Sequence, residues 1–305
     1  MHDALATTMP ASPVLPVLRH GDHVSPLLRH PAWMATAQAG AAAPMAEAGA
    51  QTGTSLTVRM LDGFRVWVGV EPLAELPHGR ARALLKLLLL QRRRPLSRTK
   101  LCSLFWPEAE PGNARNSLNV TLHRLRRSLG AAGCVRHADE GYQLLAPGEV
   151  WLDAEQFVLH AEMGRAEEAA GRPANAIGQY EAALALYHSD LQDEGEAELA
   201  SAALAHDAQA LRDRLSEVLE HLAVLHEQAG EWHGCLRATL RHLGLDQCNE
   251  VAHRRVMHCY AQLGQVQLAE RQYRACVSQL RQSLSVSPSP QTTALYRGIA
   301  TRVAA

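Results

Sequence analysis

Asn113-Ala-Arg-Asn-Ser-Leu-Asn-Val-Thr-Leu-His-Arg-Leu-Arg-Arg-Ser-Leu-Gly130 is the stretch on which the fold turns. At 100° per residue, Leu118, Leu122, Leu125 and Leu129 fall on one stripe, which predicts an amphipathic helix from about Asn113 to Leu129, stopped by Gly130. The opposite face carries Asn116, Val120, His123, Arg124 and Arg127, with Thr121 and Arg126 on its flanks; Arg115, earlier in the helix, is a further candidate for DNA contact. Arginine and asparagine reach guanine and adenine edges bidentately in the major groove. Val120 sits amid these polar and cationic neighbours, where facing water gains it nothing; a thymine methyl group would give it a partner. Standing alone, the helix reads equally well as a solvated basic face with one stray apolar residue.

The flanking sequence tips the balance. Downstream lies a short hairpin, Val135–Leu145, with Asp139-Glu140-Gly141 at its tip and Arg136 and His137 on its first strand. A wing that touches phosphate or the minor groove lies at such a place. Upstream, Ser97 is an N-cap for a short helix ended by Pro107, with Leu101, Leu104 and Phe105 facing inward. Before it, a helix from about Gly79 carries Leu84, Leu85, Leu87 and Leu88 and stops at Pro95. Earlier still, Leu56–Val68 alternates apolar and polar residues around an Asp62-Gly63 turn, the period of half-buried strands. Strands, three helices and a hairpin are the order of a winged helix with an N-terminal sheet. The cluster Arg92-Arg93-Arg94 complements a helix C-terminus as well as it suits a phosphate.

Charge supports a division of labour. The 305 residues sum to -1, yet residues 55–149 carry 15 basic and eight acidic side chains, and residues 150–305 carry 13 basic and 20 acidic ones. A basic part joined to an acidic part points to nucleic acid, and leaves open whether the acidic part folds back over the basic one.

Beyond Trp151 the pattern is helical. Gly171, Gly230 and Gly264 each separate two helices; five residues on stand Ala176, Cys235 and Ala269, and nine on stand Tyr180, Thr239 and Tyr273. The last two glycines are 34 residues apart, the tetratricopeptide period. The first two are 59 apart, which predicts one extra helix across Asp190–Leu204. Residues 1–54, rich in alanine and broken by proline, read as a disordered extension.

No GxxxxGK[ST], GxGxxG or HExxH motif occurs, and His226-Glu227 meets Gly230 where a second histidine is needed, so the expectation is no enzyme. The six cysteines form no CxxC pair, and His253 and His258 are spaced poorly for chelation, so neither metal nor cofactor is expected. With no signal peptide and no transmembrane run, the expected setting is the cytoplasm, away from membranes.

Seven segments occur in an order that carries a resemblance: Arg80-Ala-Arg-Ala-Leu-Leu, Pro95-Leu-Ser-Arg, Leu104-Phe-Trp-Pro, Asn113-Ala-Arg-Asn-Ser-Leu, Leu122-His-Arg-Leu-Arg-Arg-Ser-Leu-Gly, Gly141-Tyr and Val150-Trp-Leu-Asp. The chain resembles the Streptomyces antibiotic regulatory protein (SARP) family over about Leu56–Arg302, and its C-terminal part resembles the bacterial transcriptional activator domain down to Pro288-Ser-Pro-Gln-Thr and Ala294-Leu-Tyr. The resemblance implies an OmpR-type winged helix that binds direct repeats near promoters and recruits RNA polymerase. It also implies DNA contacts at Val120, Thr121, His123, Arg124, Arg126 and, on the wing, Arg136. Gln143 departs from the family, where a basic residue often follows Gly-Tyr, and Leu191–Leu204 lacks a tryptophan often present there.

The expected fold is an α+β winged helix-turn-helix with an N-terminal antiparallel sheet (55–149), followed by an all-α tetratricopeptide-like domain (150–305). The expected function is a DNA-binding transcriptional activator, with self-association on DNA as a further expectation. Its rivals are a helical-repeat adaptor whose winged helix binds protein, and a regulator whose helical part senses a ligand.

Overall fold

The computed structural model describes residues 55–73, 77–130, 134–138, 141–146, 148–191 and 198–301; the expectation for residues 1–54 lies outside them. Strand β1 (Leu56–Arg59) pairs antiparallel with β2 (Arg65–Val68), and β2 pairs antiparallel with β3 (Glu71–Pro72). Leu56, Val58 and Val66 point into the core while Arg59 and Arg65 face out, as period-2 alternation requires.

Three helices follow: α1 (Arg80–Leu90), α2 (Arg98–Phe105) and α3 (Pro111–Leu129). Ser97 caps α2, its side chain accepting from the Lys100 N–H at 3.2 Å. Helix α3 begins two residues before the expected Asn113 because Pro111 takes the first helical turn, where its missing N–H costs nothing. Ala114, Leu118, Leu122, Leu125 and Leu129 are buried against α1 and α2. Leu104 is only partly buried.

The wing is β4 (Cys134–Ala138) paired antiparallel with β5 (Gly141–Leu145). It is seated by two backbone bonds, Leu96 N to Tyr142 O at 2.9 Å and Tyr142 N to Leu96 O at 2.8 Å. This approach is why position 141 is glycine: a Cβ there would overlap the Leu96 carbonyl and lie 2.8 Å from Ser97 N.

The structure then departs from the expected division. Strand β6 (Val150–Leu152), beyond the change in charge at residue 150, returns to lie parallel to β1, so the sheet has the order β3-β2-β1-β6 and is mixed. Three residues are too few for alternation to reveal. Helix α4 (Asp153–Ala169) leaves directly from β6, and α5 (Pro173–Leu184) packs antiparallel to it. The spacing between the first two glycines holds no separate inserted helix among the described residues. It is taken largely by α6 (Glu198–Gln228), whose 31 residues extend to about 46 Å. Its N-terminal half, with Ala203, Leu204, Ala208 and Leu211 buried, packs on α1 and α2, so the extra length is used against the winged helix.

Helices α7 (Trp232–Leu245), α8 (Glu250–Gln262), α9 (Val266–Leu284) and α10 (Pro290–Thr301) complete the array. Ala176, Cys235 and Ala269 are fully buried where paired helices approach. Tyr180 and Thr239 are buried as well, while Tyr273 stacks on Tyr296 at 4.1 Å.

The two parts share one apolar core. At their joint, Asp153 (1% exposed) accepts the N–H groups of Met60 at 2.7 Å, Leu61 at 2.8 Å and its neighbour Ala154 at 2.8 Å. His188 N and Ser189 N both donate to Leu61 O at 2.7 Å. Lys86, fully buried in α1, donates to Leu191 O at 2.8 Å. Arg92 forms a bidentate pair with Glu155 of α4, which gives that member of the arginine cluster a structural role.

Candidate nucleic-acid interface

Helix α3 turns its leucine stripe inward, and this fixes what it presents outward. Arg115, Asn116, Val120, His123, Arg124 and Arg127 are all exposed, Val120 at 53%. Asn116, Val120, His123, Arg124 and Arg127 share one face, as the wheel predicts, whereas Arg115, exposed in the first turns of the helix, stands about 140° round from Val120 and faces the groove towards α2 and the wing. Thr121 does not belong to the Val120 face. It is only 9% exposed, and its hydroxyl donates to the Ser117 carbonyl at 2.8 Å, a local bond open to a threonine one turn on. Arg126 is exposed, but its Nε donates to Val135 O at 2.8 Å and so ties α3 to the first strand of the wing.

Arg136 is exposed on β4, opposite Gln143 of β5. The amide of Gln143 donates to the Arg92 carbonyl at 2.7 Å, so the residue that departs from the family pattern anchors the wing instead of presenting charge. His137 is exposed beside the Tyr142 ring, edge-on at 5.1 Å. Arg98 donates to the Tyr142 hydroxyl at 3.3 Å with its guanidinium over that ring.

Between α2, the start of α3 and the wing lies a groove of about 540 Å³ lined by Arg98, Thr99, Cys102, Pro111, Arg115, His137 and Gly141. Two arginines and a histidine open onto it, so the cationic surface runs from α3 round to α2. Arg98 is missed by a wheel drawn on α3 alone. Its signal was the Ser97 cap, which makes Arg98 the first residue of a helix, where backbone N–H groups are free.

Among the described residues the acidic array does not cover this surface. It docks on α1, α2 and the turn after β1, and α3's outer face and the wing stay exposed. Among the described residues no group of three His, Cys, Asp or Glu side chains is placed to hold a metal. His253 is bonded to Gln247 O and Gln272, and His258 to Glu227 and Gln262. No described helix is long and apolar enough to cross a membrane.

Residues 77–144 match the family model "Transcriptional regulatory protein, C terminal", and residues 152–300 match "Bacterial transcriptional activator domain". The chain belongs to the SARP family of transcriptional regulators. The transcriptional regulatory protein EmbR of Mycobacterium tuberculosis is 32% identical over 118 residues, 37% of this chain and 30% of EmbR. This SARP-family chain therefore matches less than a third of EmbR's length. MoaR1 of the same organism, also a transcriptional regulatory protein, is 26% identical over 242 residues, 74% of each chain. The solved structure of M. tuberculosis EmbR in complex with a low-affinity phosphopeptide superposes with a TM-score of 0.61 at 22% identity, over 83% of this chain and 66% of that one, which establishes a shared fold.

Proposed function

We propose that this regulator is an activator that binds direct repeats near promoters through residues 55–149 and contacts RNA polymerase through residues 150–305. The carrying observation is the exposed face of α3 with the wing beside it. On this reading Arg115, Asn116, Val120, His123, Arg124 and Arg127 enter the major groove. Arg136, with the free side of Arg126, meets the backbone, and Thr121 holds its helix turn without touching DNA. Arg98 and His137 extend the phosphate contacts. Copies associate on adjacent repeats in the cytoplasm, and no catalytic step is involved.

Phosphate contacts provide most of the affinity, so log K falls with log salt at about -0.9 per phosphate neutralised. Arg124→Ala is expected to lose about 2 kcal/mol of binding and to relax preference at one base pair. Arg136→Ala weakens all sequences evenly and lowers the salt slope by about one. Gel-shift titrations against a promoter recovered by genome-wide mapping of bound sites test both. Unchanged binding by Arg124→Ala would remove α3 from the reading role.

A further inference from the structure

The second helical pair differs from its neighbours at two matched positions. Four residues before the inter-helix glycine stands His226, where the other pairs have Glu167 and Tyr260; four residues after it stands Gly234, where they have Asn175 and Leu268. The two differences depend on one another. The His226 ring fills the space a side chain at 234 would take: a Cβ there would lie 2.6 Å from its Nδ1. The ring is 5% exposed, and it forms a wall of an open cavity of about 520 Å³ at the turn between α6 and α7.

The chemistry of this cavity is two-sided. Glu231 Oε2 accepts from His226 Nδ1 at 2.6 Å, and in the tautomer that this bond selects Nε2 is the accepting nitrogen. Glu181 Oε1 lies 3.9 Å from that Nε2, beyond a hydrogen bond. Two acceptors so spaced are both within about 2.8 Å of one ammonium nitrogen placed between them. Arg237 also lines the cavity, and it makes no hydrogen bond or ion pair with any described residue. Ile177, Trp232 and Leu263 supply apolar wall.

An acceptor pair, a free guanidinium and an apolar wall are the complement of a small zwitterion. We propose that this cavity binds a free α-amino acid with an apolar side chain: the ammonium between His226 Nε2 and Glu181, the carboxylate on Arg237, the side chain against Trp232, Ile177 and Leu263. The volume suits a small ligand. The site is at the end of α6 remote from the winged helix, and the proposal is independent of the DNA-binding reading.

The test is calorimetric titration and thermal melting of the full chain with L-leucine and L-phenylalanine up to about 10 mM, a range that detects millimolar affinity. 3-Methylbutylamine, which lacks the carboxylate of leucine, and 4-methylpentanoate, which lacks its ammonium, serve as controls. The expected result is saturable binding and a raised Tm for at least one of the two amino acids, and at least about tenfold weaker binding of both controls. Glu181→Gln and Arg237→Met alter exposed side chains, so their unliganded Tm should match the parent chain while amino-acid binding weakens about tenfold or more. Absence of binding by both amino acids, equal binding of either control, or parent-like binding by both variants overturns the proposal. None of these measurements involves DNA.

Discussion

Replacing Asp153 with alanine is expected to destabilise the fold by about 3–4 kcal/mol at pH 7, the largest effect of any single substitution considered. The carboxylate is buried and accepts the N–H groups of Met60, Leu61 and Ala154. Alanine leaves those donors buried without acceptors, and each such group costs about 1–3 kcal/mol, part of it recovered by relaxation. The loss falls at the joint, because Met60 and Leu61 lead out of β1 while Asp153 opens α4.

The same residue gives a pH signature. Burial pushes the carboxyl up from the ordinary 3.8 to about 6, against the pull of its backbone donors. The folded protein then holds a proton between those values that the unfolded chain has released, so stability is highest below the ordinary carboxylate value and falls as pH rises towards 6. Above that it levels off. The swing attributable to this group is about 3 kcal/mol. Urea midpoints at a series of pH values should show this decline, and Asp153→Asn, neutral throughout, should remove it. A slope that persists in the asparagine variant would assign the dependence to other groups.

Gly141→Ala is the second large effect. Its Cβ would press on the Leu96 carbonyl, and backbone cannot move aside as a flexible side chain does. Either the paired bonds between Leu96 and Tyr142 open or the hairpin shifts, at about 3 kcal/mol, the upper range for overpacking. Because Arg136 and His137 ride on that hairpin, DNA affinity should fall by about tenfold even well below the melting temperature, since misplaced phosphate contacts no longer set the register on the duplex. Thermal melts and gel shifts on one preparation separate the effects. Intact affinity in a folded variant would mean that the wing's seating does not matter to binding.

The parts of this fold that repeat at short range were readable in the sequence. The leucines of α3, the Ser97 cap and the three inter-helix glycines each declare themselves within a few residues, and their partners follow from helix geometry. What escaped depends on distant pairing. Nothing local marks Asp153 as the acceptor for a turn 92 residues earlier, or Lys86 as a buried residue amid the leucines of α1. Strand β6 is three residues long, and α6 reads as helix wherever its ends lie. At the interface, the wheel sorted α3 by direction but could not show that Thr121 satisfies itself on Ser117, or that Arg98 comes round from the preceding helix.

The shared core and the 31-residue α6 leaning on α1 and α2 join α3 and the helical array in one body. On the DNA-binding reading proposed above, such a protein would transmit the angular position of its operator to whatever the array touches. Moving the operator by half a helical turn, about 5 bp, would carry the array to the opposite side of the duplex, while a shift of about 10.5 bp restores its azimuth. Promoter activity measured across a ladder of spacer lengths should therefore oscillate with the DNA repeat, whereas a protein with a loose hinge at the same place would show a smooth decay.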